Sequence, residues 1–242
     1  MGKEKQLQDL VEKLKEAAGS NLEAVALYGS AAGGEFHEKF SDLNVLCLVT
    51  RLDSAALEKL ARVTARWTRS GHPAPLVFSR EELTTAVEVF PIEFLDIVER
   101  RTVLFGEDVF EGLEVPLRLH RAAIEREFET NLVRLRQAFL AGDLKGKILT
   151  RLMTTSITSF LTLIRHALIT LGESPPKQAR ELIDLAAQRF GLDGSPFHAI
   201  WDVHEGKRKE NSVDARATLA AYVENLARAA KEIHGRMAVP TR

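Results

Sequence analysis

The sequence is short of cysteine, of net charge and of unbroken apolar runs, and each shortage excludes a class of protein. There is one cysteine, Cys47, so no disulfide can form within the chain. It lies inside an apolar stretch and reads as a buried, inert thiol, which suits a reducing cytoplasm. A net charge of −1 supplies no overall field toward nucleic acid or an anionic bilayer. The opening residues, Met1-Gly2-Lys3-Glu4-Lys5-Gln6, have no apolar core of the kind a signal peptide needs. The longest apolar stretch, Ile148 to Leu171, is interrupted by Arg151, Arg165, His166 and a series of Ser and Thr residues. It is too polar to span a bilayer unaided and reads as a buried helix. The expectation is a cytoplasmic protein with no membrane partner and no strong nucleic-acid signal. No internal repeat, low-complexity tract or Ser-His-Asp or Cys-His arrangement stands out.

What is present is an ordinary globular composition, with 45% hydrophobic and 28% charged residues over 242 positions, a length that favours two domains. Charge is divided unevenly between the halves. Residues 1–112 hold 13 Lys and Arg against 19 Asp and Glu, a net of −6, and residues 113–242 hold 20 against 15, a net of +5. That division is either scatter over two solvated surfaces or a basic half supplying cations to a phosphate-bearing ligand.

Periodicity separates the same two halves. Leu7, Leu10, Val11 and Leu14 recur at helical spacing and stop before Gly19. Short apolar runs follow at Ala24–Tyr28, Leu43–Val49 and Leu76–Phe78, with a helix through Leu57, Leu60 and Val63 between the second and third. Another helix opens around Glu81 and Glu82, and Ile92–Val98 reads as a fourth strand, with a turn at Gly106–Asp108. From Val115 the pattern is helical. One stripe is Ile124, Phe128, Leu132, Leu135 and Phe139, and the long apolar helix comes next. Ser174-Pro175 and Ser195-Pro196 read as caps with proline at the first helical position, and Ser212 as the cap of a last helix. The fold class is therefore α+β: a mixed sheet with helices over 1–112, then an all-α bundle of five helices over 113–242.

The chemistry concentrates between Val25 and Val49. A strand ends at Gly29-Ser30, and twelve residues later Asp42 opens a second strand with Asn44 two positions on. Gly29 lets the backbone approach a phosphate closely, and Ser30 with the following amides can hydrogen-bond phosphate oxygens. Residues i and i+2 of a strand share a face, so Asp42 and Asn44 project side by side, as two ligands of one Mg²⁺ must. Such a metal bridges a triphosphate and neutralises charge building on the transferred phosphoryl group.

This segment resembles the nucleotidyltransferase superfamily, in which Gly-Ser is followed after about ten residues by an Asp-x-Asp or Asp-x-Glu pair. It is similar to aminoglycoside nucleotidyltransferases, such as the kanamycin and streptomycin enzymes, and to bacterial minimal nucleotidyltransferases. Phe90-Pro91-Ile92-Glu93-Phe94-Leu95-Asp96-Ile97 and Val103-Leu104-Phe105-Gly106-Glu107-Asp108 also look like segments downstream of that core. The resemblance spans roughly residues 4–110 and implies a nucleoside triphosphate ligand, Mg²⁺, and a small-molecule or protein acceptor. It assigns Gly29 and Ser30 to phosphate, and Asp42 and Asn44 to the metal and the reaction.

The departures carry as much information. Asn44 stands where the family has its second carboxylate, and an amide oxygen brings Mg²⁺ no negative charge. The third acid, the family's general base, belongs on the following strand, yet Pro75-Leu76-Val77-Phe78 has none. Glu93 and Asp96 are the acids of the next strand, and Glu93 is the candidate base. Where the family has Arg-Gly after its Gly-Ser, this chain has Ala32-Gly33-Gly34, leaving Lys39 as the replacement cation. Three functions follow: nucleotide binding with degenerate or lost catalysis; an active enzyme moving a nucleoside monophosphate onto a hydroxyl; or a toxin–antitoxin or scaffold component acting through the helical half, with a homodimer built there. Arg165 and His166 are mid-helix candidates for a substrate cleft, or else lie where that helix leaves the bundle. Arg228 and His234 are similar to an Arg-His signature of ribonuclease helices, although six steps turn them about 120° apart. His198 and His204 are spaced poorly for chelation from one helix.

Overall fold

The computed structural model describes residues 2–29, 31–32, 43–141 and 145–237. The chain divides into two compact units, Met1–Leu119 and His120–Arg242.

In the first unit, α1 (Lys3–Ala18) leads through a 3-10 turn into β1 (Leu22–Tyr28), followed by β2 (Asn44–Val49), α2 (Ser54–Arg69), β3 (Leu76–Ser79), α3 (Arg80–Val89), α4 (Pro91–Glu99) and β4 (Arg101–Phe105). The strands form one sheet in the order β3-β2-β1-β4. β1 lies antiparallel to both β2 and β4, and β3 runs parallel to β2. Both faces of the central pair are buried. Val25, Leu27, Val45, Cys47 and Val49 pack with Leu7, Leu10, Leu14, Leu60 and Trp67 of α1 and α2. Ala24, Ala26, Leu46 and Leu48 pack with Leu83, Val87, Phe94, Ile97 and Phe110 on the other side. Two-sided burial explains why these strands are near-continuous apolar runs instead of alternating ones. It also pushes the Cys47 thiol up to about 12, the inert state that its apolar neighbours suggest.

One strand expected from the sequence is a helix. Ile92–Val98 lies within α4, with Pro91 in its first turn and Pro91, Ile92, Phe94 and Ile97 buried. Proline's fixed φ suits a helix start, and a short apolar run cannot be assigned by periodicity alone. The fourth strand is β4, a few residues later. Glu81 and Glu82 do lie in the first turn of α3, where Glu82 completes a capping box with Ser79. Arg101 at the start of β4 is held by both carboxylate oxygens of Asp108, at 2.8 Å each, and this keeps the Asp108 carboxyl below its ordinary value.

The second unit contains most of α5 (Leu117–Ala141), then α6 (Gly146–Thr170), α7 (Ala179–Phe190), α8 (Ser195–His204) and α9 (Ala215–Met237). α6 packs against α7, α8 and α9. Among the described residues it is the one helix long and apolar enough to cross a bilayer by length and composition, and here its apolar face, including Met153, Ile157, Phe160 and Ile164, is core. Edge-to-face rings run through that core, Phe128 on Phe160 at 5.2 Å, Phe160 on Tyr222 at 6.1 Å and Tyr222 on Phe197 at 5.2 Å. His166 is fully buried, not at an emergent face. Its Nδ1 lies 3.0 Å from His120 Nε2, and the Thr170 hydroxyl, donating to the His166 carbonyl at 2.9 Å, lies 3.1 Å from His120 Nδ1. Arg165 donates to the Pro176 and Lys177 carbonyls at 2.7 and 2.8 Å.

Three caps fall elsewhere than the sequence suggests. α7 begins after Gln178, beyond Ser174-Pro175. Gly194 precedes α8, and Ser195 donates to Asp193. Asp214, not Ser212, caps α9 by accepting from the Ala217 amide at 3.1 Å. In each region several small polar residues compete within a few positions, and pattern alone does not rank them. Phe139 also departs from its stripe, being exposed.

Gly106 gives a test of the first unit. Its φ is +79°, and a Cβ there would stand 2.1 Å from the Glu23 carbonyl oxygen of β1. Gly112, at φ +75°, has nothing within 4 Å of the equivalent position. Gly106→Ala should therefore cost about 3 kcal/mol, combining left-handed strain with overpacking, against about 1 kcal/mol for Gly112→Ala. Denaturant unfolding followed by circular dichroism measures both, and equal midpoints would show that the β1–β4 approach is not tight.

Candidate functional site

The rim of the sheet at the end of β1 gathers the described candidates. Gly29, one residue past β1, has φ +78°, a conformation that glycine adopts without cost. Its amide donates to the Arg100 carbonyl at 3.1 Å, and its carbonyl accepts from the Ala32 amide at 3.0 Å. The chain thus turns tightly as it leaves the sheet. A Cβ on Gly29 would lie 3.5 Å from Asn44 Nδ2, so the Asn44 amide rests directly against this glycine.

Tyr28 is the centre of the cluster. It pairs with Asn44 on one side and with Arg101 on the other, and packs on the α3–α4 side of the sheet with Phe78. Residue pattern alone assigns it no functional weight, although its position immediately before the Gly-Ser bend, on the face of Ala24 and Ala26, is a usable signal. Burial pushes the Tyr28 phenol up to about 12, with the Glu93 carboxylate as the second cause. Glu93 is exposed in the first turn of α4, so it reaches this rim from a helix and not from a strand. Gly29 and Asn44 therefore flank Tyr28, and the Glu93 carboxylate acts on it electrostatically from α4. Ser30, Lys39 and Asp42 lie outside the described residues. A cation that does reach the turn is Lys3 of α1, which donates to the Ala31 carbonyl.

Among the described residues, β3, where a third acid is expected, carries no carboxylate. β3 reads Leu76-Val77-Phe78-Ser79, and its register sets Leu76 beside Leu46. Two residues earlier, at the level of Asn44, the chain is Ala74. Asp96 of α4 faces Arg100 at 3.9 Å. Among the described residues no group of three or more His, Cys, Asp or Glu side chains could hold a metal. Asn44 offers one neutral oxygen, and Mg²⁺ normally takes carboxylates together with substrate phosphates. The described donor set does not by itself fit that ion.

The remaining polar candidates have partners within the helical unit. Arg228 donates to the Gly191 carbonyl at the end of α7, at 3.0 Å. His234 faces Glu125 at 3.6 Å, and His198 lies 2.8 Å from Asp184. His204 stacks on Trp201. A cleft of about 210 Å³ lined by Asn21, Arg51, Asp53 and Lys59 lies at the far end of β2, about 16 Å from Asn44 at the usual rise per strand residue.

The fold has a counterpart among solved structures. Spectinomycin adenyltransferase from Enterococcus faecialis, solved with ATP and spectinomycin, superposes with a TM-score of 0.62 at 13% identity, over 93% of this chain and 100% of that one. No protein-family model matches the sequence, and no curated protein does. The chain has a nucleotidyltransferase fold.

The tyrosines report on the rim. The chain has two, Tyr28 and Tyr222, and burial raises both. The folded state prefers neutral phenols, so the Tyr28 contribution to stability is whole below pH 10 and is lost as pH rises toward about 12. Native protein titrated by tyrosinate absorbance should show no step near pH 10. Glu93→Gln should move the Tyr28 step down, but not to the ordinary value, because burial is the larger cause. A wild-type step near 10, or no response to Glu93→Gln, would separate Glu93 from this rim.

Proposed function

We propose that this protein binds a nucleoside triphosphate at the end of β1 and that its transfer chemistry is degenerate or lost. The observation that carries the reading is Asn44 resting against Gly29 at the rim of a nucleotidyltransferase fold. The bend presents backbone to phosphate, while the side chain that would share a metal with Asp42 is neutral. The absence of an acid on β3 supports the same conclusion. On this reading Gly29 and Ser30 hold phosphate, Lys39 is an accessory cation, and Mg²⁺ contributes little to affinity. The single buried Cys47 supports a reducing, cytoplasmic setting.

One observation favours a second reading, that of an active enzyme transferring a nucleoside monophosphate to a hydroxyl of a small molecule or protein. Glu93 lies in the first turn of α4 and is the second cause, after burial, of the raised Tyr28 phenol, which makes it the candidate general base in place of one on β3.

Calorimetric titration of ATP with and without Mg²⁺ tests the first reading. Wild type should bind ATP with little response to Mg²⁺. Asn44→Asp should make Mg²⁺ strengthen binding about tenfold, roughly 1.4 kcal/mol. The absence of any ATP heat would overturn the reading, and equal Mg²⁺ responses in the two proteins would remove Asn44 as the cause. If turnover onto a hydroxyl acceptor is detected, Glu93→Gln should lower it by about 10²–10⁴, the usual weight of a general base.

A further inference from the structure

The basic surplus of the helical half has a definite location. Residues 130–172 contain six cations, Arg134, Arg136, Lys145, Lys147, Arg151 and Arg165, against one acid, Asp143. That segment alone is +5, the whole surplus of residues 113–242. Five of the six cations lie between the last buried turn of α5 and the second turn of α6, and all five are exposed.

Apolar side chains are exposed in the same place. His120 meets His166 and Phe128 meets Phe160, so α5 and α6 run antiparallel and Leu140 lies at the same end as Ile148. Beyond Leu135 every described residue of α5 is exposed, as are the first three residues of α6. Phe139 continues the core stripe of α5 to a point where the core covers it only in part. Leu140 is 81% exposed, Ile148 and Val133 45% each, and Phe139 37%. Phe139, Leu140 and Ile148 are thus exposed within the last turn of α5 and the first turn of α6, and exposed apolar patches mark contact surfaces.

We infer that this end of the α5–α6 pair docks reversibly on an anionic lipid surface. Charge and shape choose the occupant. Two copies meeting symmetrically through this end would bring like charges together, which opposes a homodimer here. A folded protein partner needs about 1,000 Å² of complementary contact, whereas the exposed apolar residues here are confined to the end turns of two helices. A lipid surface takes Leu140, Phe139 and Ile148 between its headgroups while Arg134, Arg136 and Lys147 meet its negative charge. This is peripheral docking, distinct from spanning, because α6 keeps its apolar face in the core. It departs from the sequence expectation of no membrane partner, which rests on net charge and so averages this local surplus away. It is independent of the nucleotide reading.

Flotation of the full-length protein with vesicles tests it. Phosphatidylcholine vesicles carrying about 30% phosphatidylglycerol should bind at least about tenfold more protein than pure phosphatidylcholine, and about 0.5 M NaCl should release it. Leu140→Glu should abolish binding, and the double change Arg134→Gln with Arg136→Gln should weaken it several-fold. Both variants alter exposed positions, and circular dichroism establishes that they fold. No partition onto anionic vesicles at low salt would overturn the inference, as would binding by Leu140→Glu equal to wild type. So would binding to polyglutamate without vesicles, which would assign the patch to acidic proteins. A wild-type dimer in light scattering that Leu140→Glu dissolves would assign it to a second copy.

Discussion

Burial of β1 on both faces is the constraint on which the first unit depends. β1 pairs with β2 and β4 at its edges, and the side chains of α1, α2, α3 and α4 cover its faces. A strand so enclosed cannot slip by one residue without exchanging Val25 and Leu27 for Ala24 and Ala26 across the sheet, which would leave both layers mispacked. Its end is therefore fixed, and with it the position of everything attached there. Tyr28 is the last strand residue, Gly29 turns out of the sheet, and Asn44 enters opposite Tyr28 because the register requires it. The candidate site is the place where a rigid strand stops and the chain changes direction, a common location for ligand chemistry.

Much of this was legible from residue order. Apolar runs without alternation gave β1, β2 and β3, and the spacing of Leu7, Leu10 and Leu14 gave α1. The Gly-Ser bend with its downstream acid gave the family of folds. The chain from 91 to 105 was not legible in the same way. α4 is a short helix whose apolar content, Ile92, Phe94, Leu95 and Ile97, is dense enough to imitate a buried strand. β4 is an edge strand whose residues Thr102 and Val103 are exposed, so it lacks the apolar run that identified the inner strands. The error mattered for the site. On a strand, Glu93 would approach along the sheet, whereas on α4 it stands in the covering layer, from which its charge acts on Tyr28.

The helical unit shows a different limit of sequence reading. Hydrophobic spacing located its helices, because a stripe of period 3.6 persists over many turns. It did not distinguish a stripe that is covered throughout from one whose end is covered only in part, as at Phe139. Nor did it distinguish an Arg-His pair held by Gly191 and Glu125 from one available for chemistry. Position on a helix face follows from sequence, but what lies opposite that face follows only from packing.

Asn44 can be understood without treating it as simple damage. The rim already carries the field of Glu93, strong enough to register on the Tyr28 phenol, and the sequence places Asp42 two residues before Asn44. A further carboxylate at position 44 would add like charge to a partly buried rim, and that is costly unless a divalent cation is present to neutralise it. An amide removes the repulsion, retains an oxygen and an N–H for hydrogen bonding, and keeps nearly the same volume against Gly29. The arrangement is thus consistent with a rim that is stable without metal. A triphosphate bound there would be held by backbone amides and cations more than by a shared ion, and restoring the carboxylate should make the site dependent on the ion that the amide makes unnecessary.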